Sequence, residues 1–61
     1  MVVIGIHKKS CSITQVNQVD SIELIGENQD VILVHGVLAT QTTVSNWQFP
    51  RADWIVRIIE S

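Results

Sequence analysis

The 61-residue sequence contains a single cysteine, a single proline and no tyrosine. Cys11 therefore has no partner for an intramolecular disulfide, and no Cys/His cluster predicts a structural zinc site or any other cofactor. A chain of this length buries only about 60% of the surface that its unfolded form exposes. Because neither a disulfide nor a metal is expected to stabilise the fold, we expect a homo-oligomer or unusually good packing.

Basic residues are also scarce, since four stand against six acidic residues and the net charge is −2. Too few cations are present to neutralise a phosphate backbone, so nucleic-acid binding is not favoured. The longest apolar runs, 1–4 and 31–34, fall far short of the ~20 residues that cross a bilayer. No basic region precedes the first run, so no signal peptide and no membrane span is predicted, and the expected location is cytoplasmic.

Valine and isoleucine, in contrast, supply eighteen of the 61 residues, whereas leucine and alanine together supply five. Side chains branched at Cβ lose rotamer freedom in a helix and pack well on a pleated sheet. The composition predicts an all-β single domain over residues 1–61. At this length, five or six short strands form a compact barrel or sandwich in the size class of SH3-like and OB-like domains.

The first half of the chain predicts a strand at Val2–Ile6, in which Gly5 marks a bulge or a close backbone approach. Ile13–Val19 has apolar residues at every third position, which fits either a short helix or a strand broken by a bulge. Ser21–Gly36 predicts a β-hairpin around a Gly/Asn/Asp turn. The second strand of that hairpin, Val31–Val34, is apolar at both parities and is expected to be central in the sheet.

The second half predicts a polar strand at Val37–Val44, either exposed or at an edge, and a last strand at Trp54–Ile59. A helix starting at an Asp53 N-cap competes with that last strand, although its β-branched residues disfavour a helix. Pro50 is expected at position i+1 of a turn between the two strands.

All three aromatic residues lie within the segment that contains this proline. Trp47, Phe49 and Trp54, with Arg51, are the candidate residues for binding a partner or a ligand. Tryptophan and arginine are enriched in interface hot spots, and indoles stack on bases, but large aromatics also fill the core of a small domain. Trp54 opens an apolar strand and is expected to be core, sharing a face with Val56 and Ile58. Trp47 lies between two polar residues and is expected to be partly exposed.

Other polar residues are weaker candidates. His7 and His35 each follow an apolar strand and would be neighbours if those strands were adjacent, although strand-end histidines near solvent are the simpler interpretation. Cys11 has lysines nearby but no recognisable base, so it is interpreted as an inert thiol. Residues 27–30 lack the regular spacing of a calcium loop and are interpreted as a solvated hairpin tip.

No catalytic motif is recognisable in the sequence, which favours binding over chemistry. The hypothesis is a non-enzymatic regulatory or inhibitory interaction protein that self-associates and binds a partner protein, of the kind found among phage and mobile-element accessory proteins. The alternative is a binder of a small nucleotide-like molecule held at subunit interfaces, followed by a single-stranded nucleic-acid binder. Truncation of Trp54 is expected to unfold the domain, whereas truncation of Trp47 is expected to weaken binding.

Overall fold

The computed structural model describes residues 1–60, which form five antiparallel strands in a single sheet. The strand order is β4-β3-β2-β1-β5, so the first four strands form a meander and the fifth returns to pair with the first. The sheet is not closed, and β4 and β5 are its two edges. The strands are β1 (Val2–His7), β2 (Ile13–Ile25), β3 (Val31–Leu38), β4 (Val44–Pro50) and β5 (Trp54–Ile59).

The predicted all-β composition is confirmed, and both helical alternatives are wrong. Ile13–Val19 belongs to β2, and the segment after Asp53 is β5. Both segments are rich in residues branched at Cβ, which pack well on a pleated surface. This preference outweighs the every-third-residue spacing of the first segment and the Asp53 N-cap before the second. No helix long and apolar enough to cross a membrane occurs within residues 1–60.

The strand β2 is longer than predicted, because Ile13–Val19 and Ser21–Ile25 form one continuous strand. Its register against β3 shifts between Asn17 and Ser21, and Gln18 has a φ of 52°. A register shift beside a residue in the left-handed region is typical of a β-bulge, which bends a strand without ending it. The irregular apolar spacing in this segment therefore reflects the bulge, and the total is five strands.

The hairpin predicted over Ser21–Gly36 is confirmed as β2 and β3, joined at 26–30. Gly26 takes a φ of 92° at the start of that turn, a conformation that suits glycine. β3 is an interior strand between β2 and β4, while β2 occupies the central position that was predicted for β3. The apolar residues on both faces of β3 still agree with an interior strand, since every residue of β3 is at least half-buried.

Two predictions for the second half are wrong. Val37–Val44 is not a strand, because β3 ends at Leu38 and residues 39–43 connect it to β4. The connection is held by Gln41 N donating to Leu38 O, so the polar threonine residues lie in a loop. Pro50 ends the edge strand β4 and takes position i of the turn, since Asp53 N donates to its carbonyl at 3.0 Å. An edge strand tolerates proline, which lacks the N–H of a ladder.

The core lies on the inner face of the curved sheet. Val3, Val16 and Val34 are completely buried, and Phe49 is 2% exposed. Trp54, predicted to be core, is half-buried and packs against this cluster together with Val56. Ile58 lies on the same face, as predicted, because it pairs with the buried Val3, but its side chain is 53% exposed. It lies near the end of an edge strand, where no further strand covers it.

Gly5 allows the Phe49 ring to pack directly on the backbone of β1, as the predicted close approach requires. A Cβ at Gly5 would lie 2.5 Å from Phe49 Cε1 and 3.1 Å from Trp54 Cε3. We expect Gly5→Ala to lower the free energy of unfolding by about 1–3 kcal/mol, the usual cost of overpacking. Urea denaturation followed by tryptophan fluorescence measures this change. A midpoint equal to that of the unmodified protein would show that the Phe49 ring moves aside without cost.

Candidate functional site

An open groove on the inner side of the sheet brings the three aromatic residues together. Its volume is about 280 Å³. Trp47 and Trp54 are half-buried and contribute indole surface, whereas Phe49 is 2% exposed and forms the floor. We call this feature the aromatic groove, and it is lined by Thr14, Leu38, Trp47, Gln48, Phe49 and Trp54.

Alternation along β4 places Trp47 and Phe49 on the same side of the sheet. Trp47 is held by its indole Nε1, which donates to the carbonyl oxygen of Gly36 on the neighbouring strand at 3.2 Å. Trp54 meets Phe49 edge-to-face, with ring centroids 5.2 Å apart. This arrangement is one of the two that aromatic pairs prefer. The aromatic groove is therefore built from side chains with fixed partners.

The short turn between β4 and β5 joins the two edges of the sheet beside this groove. Arg51 N donates to Asp30 O at 2.8 Å, which ties the turn to the β2–β3 hairpin. Lys8 N donates to Asp53 O, also at 2.8 Å, which ties it to the end of β1. Backbone hydrogen bonds thus anchor the turn on both sides and set the position of Trp54.

A second groove adjoins the first at the end of the sheet where β2 begins and β3 ends. It has a volume of about 290 Å³ and shares Thr14 and Leu38 with the aromatic groove. The remainder of its lining comes from the start of β2 and from the loop after β3, at Ile13, Gln15, Ala39 and Thr40. This surface is not evident from the sequence, because isolated threonine and isoleucine residues do not indicate a groove.

Arg51 is the one candidate residue that the structure does not place in the groove. It lies exposed in the β4–β5 turn and is not among the lining residues. Lys8 approaches it, since Lys8 Nζ donates to the Arg51 carbonyl oxygen at 3.1 Å. The structure therefore places two cations at the corner beside the groove, although they are 43 residues apart in the sequence.

The two histidines are not neighbours, because β2 lies between the strands that contain them. His7 accepts hydrogen bonds at Nδ1 from the backbone N–H groups of Lys9 and Ser10, and its ring lies edge-on to Trp54 at 5.0 Å. His35 Nδ1 lies 2.7 Å from a carboxylate oxygen of Asp20. Within residues 1–60, no group of three histidine, cysteine or acidic residues is arranged to hold a metal ion.

Cys11 is exposed in the β1–β2 turn, with a φ of 61°. Its backbone N–H donates to His7 O, so the thiol stands on a tight turn at the end of the sheet. Residues 27–30 form the tip of the β2–β3 hairpin, as the sequence predicted.

No family model matches the chain, and neither the curated proteins nor the solved structures contain a significant match. The site therefore has to be interpreted from its own chemistry. Its lining is aromatic, aliphatic and neutral polar, with no charged side chain.

Proposed function

We propose that the protein is a small non-enzymatic interaction protein that binds a partner protein through the aromatic groove and also self-associates. The observation that supports this function is the convergence of Trp47, Phe49 and Trp54 in one open groove. Half-buried indoles around a buried phenyl ring resemble the anchors that dominate protein interfaces. Because the indoles are already fixed by contacts, a partner loses little of its binding free energy to ordering them.

An extended peptide segment fits this surface better than a small molecule. The aromatic groove has a volume of about 280 Å³, at or below the roughly 300–1,000 Å³ usual for ligand pockets. The second groove prolongs it past Thr14 and Leu38, so the surface is elongated. An elongated apolar surface with neutral polar edges suits a segment with one or two large apolar side chains.

A nucleotide-like ligand is the second candidate function, because the indoles of Trp47 and Trp54 offer faces on which a base could stack. A phosphate would need a cation nearby, and the groove lining has no charged side chain. Arg51 and Lys8 lie at the adjacent corner, so a nucleotide would have to extend out of the groove to reach them. Single-stranded nucleic acid ranks third, because the net charge of −2 opposes a polyanion.

The partly closed barrel is the architecture that we propose for this site. Its support is that the two edge strands approach each other at the β4–β5 turn, where Phe49 and Trp54 are in contact. A sandwich would instead divide the strands between two sheets. Action in the cytoplasm as a regulatory or inhibitory protein, of the phage or mobile-element accessory kind, belongs to the same proposal.

The test uses a library of extended peptides selected for binding to the purified protein, with affinities measured by isothermal titration calorimetry. We expect selected peptides to share a large apolar residue and to bind Trp47→Ala about 30-fold more weakly, the effect of losing ~2 kcal/mol at a hot spot. Trp47 is half-buried on an edge strand, so the variant is expected to remain folded.

Leu24→Ala provides the matched control, because Leu24 is a large exposed apolar residue, 49% accessible, outside both grooves. Equal binding by Leu24→Ala and loss by Trp47→Ala supports the groove. Selected peptides that bind Trp47→Ala as tightly as the unmodified protein would exclude the groove as the partner site. A nucleotide panel that raises the melting temperature, while no peptide is selected, would favour the second candidate.

A further inference from the structure

The two edges of the sheet differ in how well they are protected against pairing with another strand. The edge strand β4 contains Ser45, Asn46, Gln48 and Pro50, and polar residues and proline are common means of blocking an edge. The edge strand β5 has the sequence WIVRII, which contains neither proline nor lysine. Among the strands formed by residues 1–60, β1 alone is hydrogen-bonded to β5, so the other backbone edge of β5 is unpaired.

Aliphatic side chains are exposed along this unprotected edge. Ile55, Ile58 and Ile59 are 38%, 53% and 49% exposed, respectively. On the outer face, the apolar row continues onto β1, because Ile6 pairs with Ile55 and Val2 pairs with Ile59. An apolar surface that adjoins a free strand edge marks a site of association.

We propose that a second copy of this chain occupies the free edge of β5, pairing antiparallel about a twofold axis at Ile58. The proposal rests on the self-association included in the proposed function and names the surface responsible for it. The resulting dimer has a continuous sheet that runs from β4 of one copy to β4 of the other. Both aromatic grooves remain open in this arrangement, because they lie at the other end of β5, around Trp54.

Charge argues for a register in which the single cation of β5 does not face its own copy. Side chains directly opposite each other in a ladder point to the same face, so twofold pairing must be centred on a residue. A centre at Arg57 would place two guanidinium groups opposite each other, which is unfavourable. Centres at Val56 or Ile58 avoid this contact, and they place Arg57 opposite Ile55 or Ile59 of the second copy, respectively.

Access separates these two remaining registers. A centre at Val56 pairs Trp54 with the second copy, but Trp54 lies against Phe49 of β4 where the sheet curls toward closure. A centre at Ile58 uses the open end, where Ile58 and Ile59 are each about half exposed. In that register the methylene stem of Arg57 covers Ile59 of the second copy, while its charged head reaches water.

The expected dimer is weak, because a centre at Ile58 pairs only residues 57–59 of β5, a contact about 10 Å long. A contact of this length buries less accessible surface than the roughly 1,200–2,000 Å² that stable interfaces bury in total. Dissociation in the micromolar range is therefore expected, and sedimentation velocity should show a monomer–dimer equilibrium across that range.

Cysteine cross-linking tests the register. In a Cys11→Ser background, Ile58→Cys places two thiols opposite each other at the proposed axis, where the Cβ separation of a cross-strand pair allows a disulfide. Leu24→Cys is the control, because Leu24 is 49% exposed, close to the 53% of Ile58, but lies at the far end of β2. We expect at least tenfold faster dimer formation by Ile58→Cys under mild oxidation. Equal rates for the two variants, or faster cross-linking by Val56→Cys, would overturn the proposal.

Ile58→Lys provides a second and independent measurement. It places two like charges opposite each other, and the position is exposed enough to accept lysine. We expect at least tenfold weaker dimerisation with unchanged peptide binding, whereas Trp47→Ala should lose peptide binding and still dimerise. Dimerisation by Ile58→Lys as strong as in the unmodified protein would place the interface elsewhere. The two variants thus distinguish an error in the proposed β5 interface from an error in the proposed peptide site.

Discussion

Phe49→Ala is expected to remove most of the protein's free energy of unfolding at room temperature. Phe49 is buried, with 2% of its surface exposed, and its ring fills the space above Gly5 where no Cβ is present. Truncating a buried phenylalanine costs about 3–5 kcal/mol, because the lost apolar contacts are accompanied by a cavity. A domain of this size has on the order of 5 kcal/mol of total stability. Circular dichroism and urea denaturation measure the effect directly.

Phe49→Leu is the matched control, because leucine keeps much of the buried volume. We expect a cost of about 1 kcal/mol and a folded protein. If Phe49→Ala melts within a few degrees of the unmodified protein, the core does not depend on this ring and the groove floor has been assigned wrongly.

Trp54→Ala is expected to have the second largest effect on stability, at about 3 kcal/mol. The indole packs edge-to-face on two rings and joins β5 to the core. Its ring centroid lies 5.2 Å from that of Phe49 and 5.0 Å from that of His7. Its half-exposed position reduces the cost below that of a fully buried aromatic. Thermal unfolding monitored by circular dichroism provides the measurement.

Two comparisons control the Trp54 experiment. Trp54→Phe keeps an aromatic ring facing Phe49 and should recover more than half of the loss. Ile55→Ala removes apolar surface from the neighbouring outward-facing position, which is 38% exposed, and should cost well under 1 kcal/mol. Equal losses for Trp54→Ala and Ile55→Ala would mean that the aromatic contacts add nothing to stability.

The strand content was predictable from the sequence because it depends on local chemistry. Residues branched at Cβ supply at least half of β1, β3 and β5, and the hairpin turn begins with glycine at Gly26, where φ is 92°. A bulged strand was one of the two interpretations of Ile13–Val19, and it is confirmed. The continuation of β2 past the bulge to Ile25 was not predictable, because the bulge is formed by Gln18 in a conformation that glutamine seldom adopts. A sequence pattern in which apolar spacing changes abruptly is compatible with a turn, a helix or a bulge.

The candidate site was predictable only in its aromatic residues. Trp47, Phe49 and Trp54 were evident from their clustering, but the depth of each ring depends on distant parts of the chain. Phe49 is buried because Gly5, on another strand, leaves room for its ring. Leu38 and Thr14 enter the groove lining through pairing of β2 with its neighbours, which no local pattern encodes.

The three residues between β4 and β5 determine how wide the aromatic groove can open. They form the only direct chain connection between the two edges of the sheet, and backbone hydrogen bonds from Arg51 and Lys8 fasten this connection at both ends. Trp47 and Trp54 therefore lie on opposite sides of this short connection, whose length does not change. The backbone therefore sets the width of the aromatic groove, so the proposed partner would meet a surface that needs little reordering.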